Sequence, residues 1–327
     1  DYIDQWETTI ETNLGLNARF LKDRLSLEVD YFIRDTKDLA VNIIPPVFRA
    51  GSQRRSVGEI RNEGIEITLG WSDQISNDLN YYVGANIATL KNTVQNLGGA
   101  EYIDAGQAEF RQRSIIGQPY QAFYGYEVNG VFQNQEQINT SGYTNEFIAS
   151  TNLAPGDFFY KDQNNDGVIN DNDRVVLGTF IPKVTYGFNF GVTYKNWELS
   201  ALFQGQANYK ILNRKRGEII FTNDTNLDAE LINNLWRGEG TSNEYPSAAG
   251  LRKGWNQRMS SYLVEDGSYF RIQNVRVSYA LRGKQLGGVT MPETRISFTA
   301  ERPLTVFDYN GFNPEVADGI DRQVYPI

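Results

Sequence analysis

Val184–Tyr194 reads VTYGFNFGVTY, and Lys195-Asn196 separates it from Trp197–Ala207, WELSALFQGQA. In the first stretch every even position is apolar: Val184, Tyr186, Phe188, Phe190, Val192 and Tyr194. The odd positions are Thr185, Gly187, Asn189, Gly191 and Thr193. A helix would scatter that pattern around its whole circumference, whereas a strand puts one set on each face. After Lys195-Asn196 the alternation resumes with Trp197, Leu199, Ala201 and Phe203. Residues flanking a two-residue hairpin turn share a face, so Tyr194 and Trp197 keep one register across it.

The same device recurs outward from this hairpin. Leu14, Leu16, Ala18 and Phe20 lead into a turn near Lys22-Asp23, and Leu25, Leu27, Val29, Tyr31 and Ile33 lead away. Ile65, Ile67, Leu69 and Trp71 precede SDQISND, and Leu79, Tyr81, Val83, Ala85 and Ile87 follow it. Over Ser268–Ala280 the phase slips at Gln273-Asn274, which predicts a β-bulge. The pattern predicts about ten strands, near 12–21, 24–34, 60–71, 78–91, 109–116, 120–129, 184–194, 197–208, 266–281 and 293–302. Connections alternate between short and long, the longest near 130–183 and 209–265. Tight turns therefore gather at one end of the sheet and large loops at the other.

Composition fits an all-β chain and excludes several chemistries. The 327 residues include 19 Tyr, 18 Phe, 5 Trp and 30 Gly, with a mean hydropathy of −0.48. There is no Cys and no His, so disulfides, zinc–thiolate sites and His-based triads are excluded. A net charge of −9 argues against a nucleic-acid partner. No run of eighteen apolar residues offers a transmembrane helix. The chain also opens, at DYIDQWETTIETNLGL, inside a patterned segment with no leader, and reads as a mature piece or fragment.

Which face is wet decides the class. The polar faces carry small residues: Asn13, Gly15 and Asn17; Gly84, Asn86 and Ala88; Gly187, Asn189 and Gly191. The apolar faces end in Phe20, Trp71, Tyr194 and Trp197 beside the short turns. An apolar band bounded by aromatics, with a polar opposite face, is what an outer-membrane barrel needs, because lipid offers the backbone no hydrogen bonds. The alternative is a secreted β-sandwich, either an adhesin or a carbohydrate-binding module, stabilised by calcium.

Several blocks together resemble the C-terminal third of SusC/RagA-type TonB-dependent outer-membrane transporters of Bacteroidetes. They are WETTIETNLGLNARFLKDRLSLEVDYFIRDTKDL, VGEIRNEGIEI, IIGQPYQAFYGYEVNGVFQNQEQI, PGDFFYKDQNNDGVINDNDRVVLGTFIPKVTYGFNFGVTYKNWELSALFQG and VEDGSYFRIQNVRVSYAL, in that order, with GFNPEV near the end. The resemblance implies a 22-stranded barrel in the bacterial outer membrane, with residues 1–327 as part of its barrel domain. It further implies that a plug, the earlier strands and a last strand lie outside the chain. It implies a SusD-like surface lipoprotein as lid, energy from TonB–ExbB–ExbD, contact with outer-membrane lipid and an oligosaccharide or peptide cargo. The expected protein is a transporter and not an enzyme.

Two candidate sites follow. DQNNDGVINDND at Asp162–Asp173 has the front half of an EF-hand loop, with Asp at the twelfth position. It predicts a structural Ca²⁺ held by Asp162, Asn164, Asp166, the Val168 carbonyl and Asp173, or else a solvated turn. Tyr209, Trp236, Tyr245 and Trp255 in the long loops are candidate stacking platforms for cargo, or else loop core. Asp308, Glu315, Asp318 and Asp321 lie close in sequence without a cleft to pair them, and Arg54-Arg55 reads as a solvated pair.

Overall fold

In the computed structural model, residues 6–43, 53–106, 110–213, 216, 229–281, 285–290, 292, 294–311 and 313–315 are described. Two units emerge, one built from Asp1–Gly99, Pro182–Tyr209 and Gly267–Asp308, the other from Ala100–Ile181, Lys210–Asp266 and Tyr309–Ile327.

The first unit is one antiparallel sheet. Its strands are β1 (Thr8–Phe20), β2 (Leu25–Ile43), β3 (Gln53–Ser76), β4 (Leu79–Thr89), β5 (Lys91–Leu97), β6 (Val184–Tyr194), β7 (Trp197–Ala207), β8 (Tyr269–Leu281) and β9 (Thr294–Phe307). Their lateral order is β1-β2-β3-β4-β6-β7-β8-β9, with β5 continuing beyond β4 along the far part of β3. The hairpin read from the sequence pairs Tyr194 with Trp197 and runs in unbroken register to Val184 opposite Ala207. The predicted bulge is present: β8 slips against both neighbours between Ile272 and Asn274.

Alternation becomes two unlike faces. Leu14, Leu16, Phe20, Tyr31, Ile65, Leu69, Ile87, Phe188, Tyr194, Trp197, Phe298 and Val306 are exposed on one of them. On the other, glycine faces an amide: Gly84 opposes Asn189 and Gly187 opposes Asn86 across the same β4–β6 pair. A Cβ at either glycine would run into the facing amide, so the small residues make room for cross-strand side chains. Tyr82 likewise lies where a side chain at Gly191 would be. Tyr186 lies over Gly205 on the apolar face and its hydroxyl donates to the Tyr269 carbonyl at 3.2 Å.

The second unit corrects the strand count. The predicted strands 109–116 and 120–129 are not in the long sheet. They supply Gln112–Ile115 and Ala122–Tyr126 to a separate four-stranded sheet, with Tyr102–Ala105 and Arg174–Gly178 at its edges. Period two reports a half-buried strand without saying which sheet it joins. Removing two strands leaves the parity unchanged, so the long connections stay at one end of the long sheet.

A hydrophobic core fills this unit, with Phe123, Phe132, Ile138, Phe158, Tyr160, Leu212 and Leu263 almost fully buried. Helix α1 (Gln135–Asn139) is capped by Asn134, whose side chain accepts from Gln137 N at 2.9 Å. Helix α2 (Asn145–Thr151) is capped by Thr144 in the same way and ends at left-handed Asn152. A third short helix, α3, covers Ala229–Asn234.

Candidate functional site

The apolar face of the long sheet has the dimensions of a bilayer span. Strands β6 and β7 each have 11 residues. Ten steps of about 3.4 Å, tilted by about 40°, cross roughly 26 Å, close to the apolar band of outer-membrane barrels. Aromatic side chains mark the short-turn end of this band. Trp71 Nε1 donates to the Tyr81 hydroxyl at 2.8 Å, and the Trp197 and Tyr279 rings lie 4.8 Å apart. Such amphipathic rings sit where hydrocarbon gives way to headgroups. On the opposite face, Ser26, Thr68, Gly70, Asn86 and Asn189 line a hollow of about 420 Å³. The face therefore offers hydrogen-bonding groups and close backbone approach beside the exposed side chains of Tyr82 and Leu202.

The four candidate aromatic residues of the long loops are buried or packed against buried neighbours. Trp255 is buried: its Nε1 donates to the Phe158 carbonyl at 2.7 Å, and its ring packs on Tyr160 at 5.0 Å and Phe147 at 5.8 Å. Tyr245 is buried, donates to Glu230 Oε1 at 2.5 Å and accepts from Arg216 Nη2 at 2.8 Å. Trp236 packs against the core, and its Nε1 donates to Gln133 Oε1 at 3.1 Å. Tyr209 is buried as well. The three buried residues present no open face for stacking; they hold loops together. Burial of an aromatic ring gains more than its exposure, which is why loop rings so often turn inward.

The acidic loop is closed by its own backbone. Asp162 Oδ1 accepts from Asn165 N at 2.7 Å and Asp166 N at 3.3 Å, and Asp162 Oδ2 accepts from Gly167 N at 2.7 Å. Asp166 Oδ1 accepts from Val168 N at 2.9 Å, and Asp166 Oδ2 accepts from Asn164 Nδ2 at 2.9 Å. Asp173 is fully buried, with one oxygen on Gln163 N at 2.9 Å and the other on Asn170 N at 2.8 Å. Gly167 takes φ +80°, the left-handed turn the motif requires. Among the described residues no three acidic side chains converge on a point that could take a metal ion. The carboxylates serve this arrangement as caps for amide donors. Burial, reinforced by the charges of Asp162 and Asp173, pushes the nearby Tyr143 hydroxyl far above the usual phenol range. It stays neutral and donates to the Tyr160 carbonyl.

Sequence reading missed the network that ties the core together. Asp157 is buried, and its carboxylate pairs with Lys253 Nζ and accepts from Ala154 N and Asn256 Nδ2, each at 2.9 Å. Asn256 in turn accepts from Phe158 N at 2.7 Å and donates to the Gly250 carbonyl at 2.9 Å. The partners are nearly a hundred positions apart and carry no local motif. Of the other candidates, the Arg54 side chain, Asp318 and Asp321 lie outside the described residues. Asp308 and Glu315 lie within the described residues, and the Glu315 amide donates to Asn313 Oδ1 at 3.1 Å.

Comparison with known proteins agrees with this geometry. TonB-dependent receptor P3 of Formosa agariphila is 31% identical over 95% of the chain and 31% of its own length. TonB-dependent receptor SusC of Bacteroides thetaiotaomicron is 25% identical over 98% of the chain and 31% of its own length. Among solved structures, the RagAB peptide transporter superposes with a TM-score of 0.76 at 22% identity, over 98% of this chain and 34% of that one, which speaks to fold. The chain thus spans about a third of the length of the relatives it matches. Those relatives are receptors of the outer membrane and not enzymes. Residues 3–301 match the family described as TonB dependent receptor-like, beta-barrel, and the chain belongs to that family.

Proposed function

We propose that this chain forms part of the barrel wall of an energised outer-membrane importer. The observation that carries the reading is the exposed apolar face of the long sheet, about 26 Å tall, closed by aromatics at the short-turn end. Strands β1 and β9 each have a single lateral neighbour among the described residues. An open edge in lipid leaves a row of backbone groups unpaired, so further strands outside this chain complete the wall. A plug and a TonB-contacting segment, also outside it, would couple the barrel to the inner membrane. A SusD-like surface lipoprotein would close over the long-loop end, and the cargo would be an oligosaccharide or a peptide. The second unit, with rings of its long loops turned into its own core, serves as a folded scaffold. A Ca²⁺ ion at the Asp162–Asp173 loop would partly neutralise its carboxylates without being needed to close the turn, which the loop's own amides hold.

The test is to tag the full-length receptor and extract the membranes. It is expected only in detergent extracts, to shift in mobility on heating as barrels do, and to co-purify with a surface lipoprotein. Uptake of labelled peptides or oligosaccharides should stop when the inner-membrane energy source is removed. A monodisperse, detergent-free soluble protein would overturn the reading.

A further inference from the structure

Tyr309–Gly311 is held in a polar pocket of the second unit. Asn310 N donates to Glu265 Oε2 at 2.7 Å, and the Asn310 carbonyl accepts from Asn213 Nδ2 at 2.9 Å. The Asn310 side-chain amide donates to Glu230 Oε2. Asn213 is fully buried and also donates to Glu265 Oε1 at 2.9 Å. Tyr309 is buried, and a Cβ at Gly311 would run into its ring, so any side chain at 311 would displace that ring.

The pocket calls for donors. Arg216 lies 3.0 Å from Glu265, 3.1 Å from Glu244 and 3.8 Å from Glu230, so among the described residues three carboxylates share this guanidinium. Ionised carboxylates only accept, and an asparagine amide supplies two N–H donors. An ionised aspartate in its place has no side-chain donor and sets a like charge against Glu230. Asn310-Gly311 can make that exchange without a mutation. The Gly311 nitrogen loses its proton to solvent and attacks the Asn310 side-chain carbonyl carbon. The side-chain nitrogen leaves as ammonia, and water then opens the cyclic imide to aspartate or isoaspartate. In the closed pocket both reacting groups are held, Gly311 N on the Tyr309 carbonyl at 3.0 Å and the Asn310 amide on Glu230. The reaction therefore runs from opened chains, and the pocket repels its product.

We propose that Tyr309–Gly311 is a strap closed by the N–H donors of Asn310, and that deamidation of Asn310 releases it irreversibly. The pocket itself selects the labile pair: asparagine for its donor to Glu230, and glycine for the room beside Tyr309.

The experiment measures hydrogen exchange and limited proteolysis across 309–315 in the full-length receptor. The wild type is set against Asn310→Asp and the double variant Asn310→Asp/Glu230→Gln, with folding of each verified by heat-modifiable mobility. Asn310→Asp should exchange at least about tenfold faster. Glu230→Gln in the same chain should restore part of the protection, because its amide can donate to the new carboxylate. Wild type aged in mildly alkaline buffer should deamidate at Asn310, read by peptide mass, and the deamidated molecules should be cleaved first. Wild-type protection in a folded Asn310→Asp variant overturns the proposal, as does failure of Glu230→Gln to restore any. Deamidated wild type that resists cleavage like the rest also overturns it, as does an Asn310 that deamidates in the denatured chain and never in the folded one. If Asn310→Asp fails to fold, Asn310→Ala decides: faster exchange supports the strap, and wild-type exchange overturns it.

Discussion

Replacing Phe188 by arginine probes the membrane reading at its centre. Phe188 is the fifth of the 11 residues of β6, points to the apolar face and is 39% exposed. Its ring lies 5.7 Å from Phe203 and 6.2 Å from Phe190. If the face is wet, the change forfeits the ring pairs, about 1 kcal/mol, and hydrates the guanidinium at little cost. If the face meets lipid near the midplane, the arginine costs about 2–4 kcal/mol more. A loss near 3 kcal/mol lowers the folding equilibrium about 150-fold. Tyr194→Arg supplies the depth control. Tyr194 shares the face but sits beside the turn, at the aromatic level, where the cost falls to about 0–1 kcal/mol. The assay is refolding of the full-length receptor from denaturant into lipid vesicles, with the folded fraction read from heat-modifiable mobility. Losses that are equal at the two positions and below about 1 kcal/mol would refute the lipid-facing assignment.

Asp157→Ala should cost about 3 kcal/mol, because it breaks a largely buried ion pair and strands Ala154 N. Hydrogen exchange across 154–160 and 250–257 would accelerate about a hundredfold, and an unchanged rate would show that the pair contributes little. Trp255→Ala should lower stability by about 3–5 kcal/mol, as for a core ring. Near-wild-type stability with weakened cargo binding would restore the stacking role. Gly205→Val should displace Tyr186 from its bond to Tyr269 and cost about 1–3 kcal/mol, measured by the same refolding titration. Asp162→Ala, which strands the Asn165, Asp166 and Gly167 amides, should open the acidic loop to limited proteolysis, whereas chelation of the wild type should leave it closed. Opening on chelation alone would show that an ion, not the backbone, holds the turn.

Much of the long sheet was readable from residues alone. Period two, a two-residue turn and the identity of the flanking rings determined the Tyr194–Trp197 hairpin, its register and the aromatic edge of the band. The phase slip at Gln273-Asn274 likewise determined the bulge in β8. These are local features, set within ten or twenty residues by the pleat and by turn geometry. Tertiary structure alone decided where the strands at 112–115 and 122–126 belong, since a short alternating run fits either sheet. It also decided that Trp255 and Tyr245 turn inward, and that Asp157 finds Lys253 and Asn256. Burial and pairing of this kind depend on groups brought together across about a hundred residues. A sequence records which side chains could make such contacts, and only the packed chain selects which of them are made.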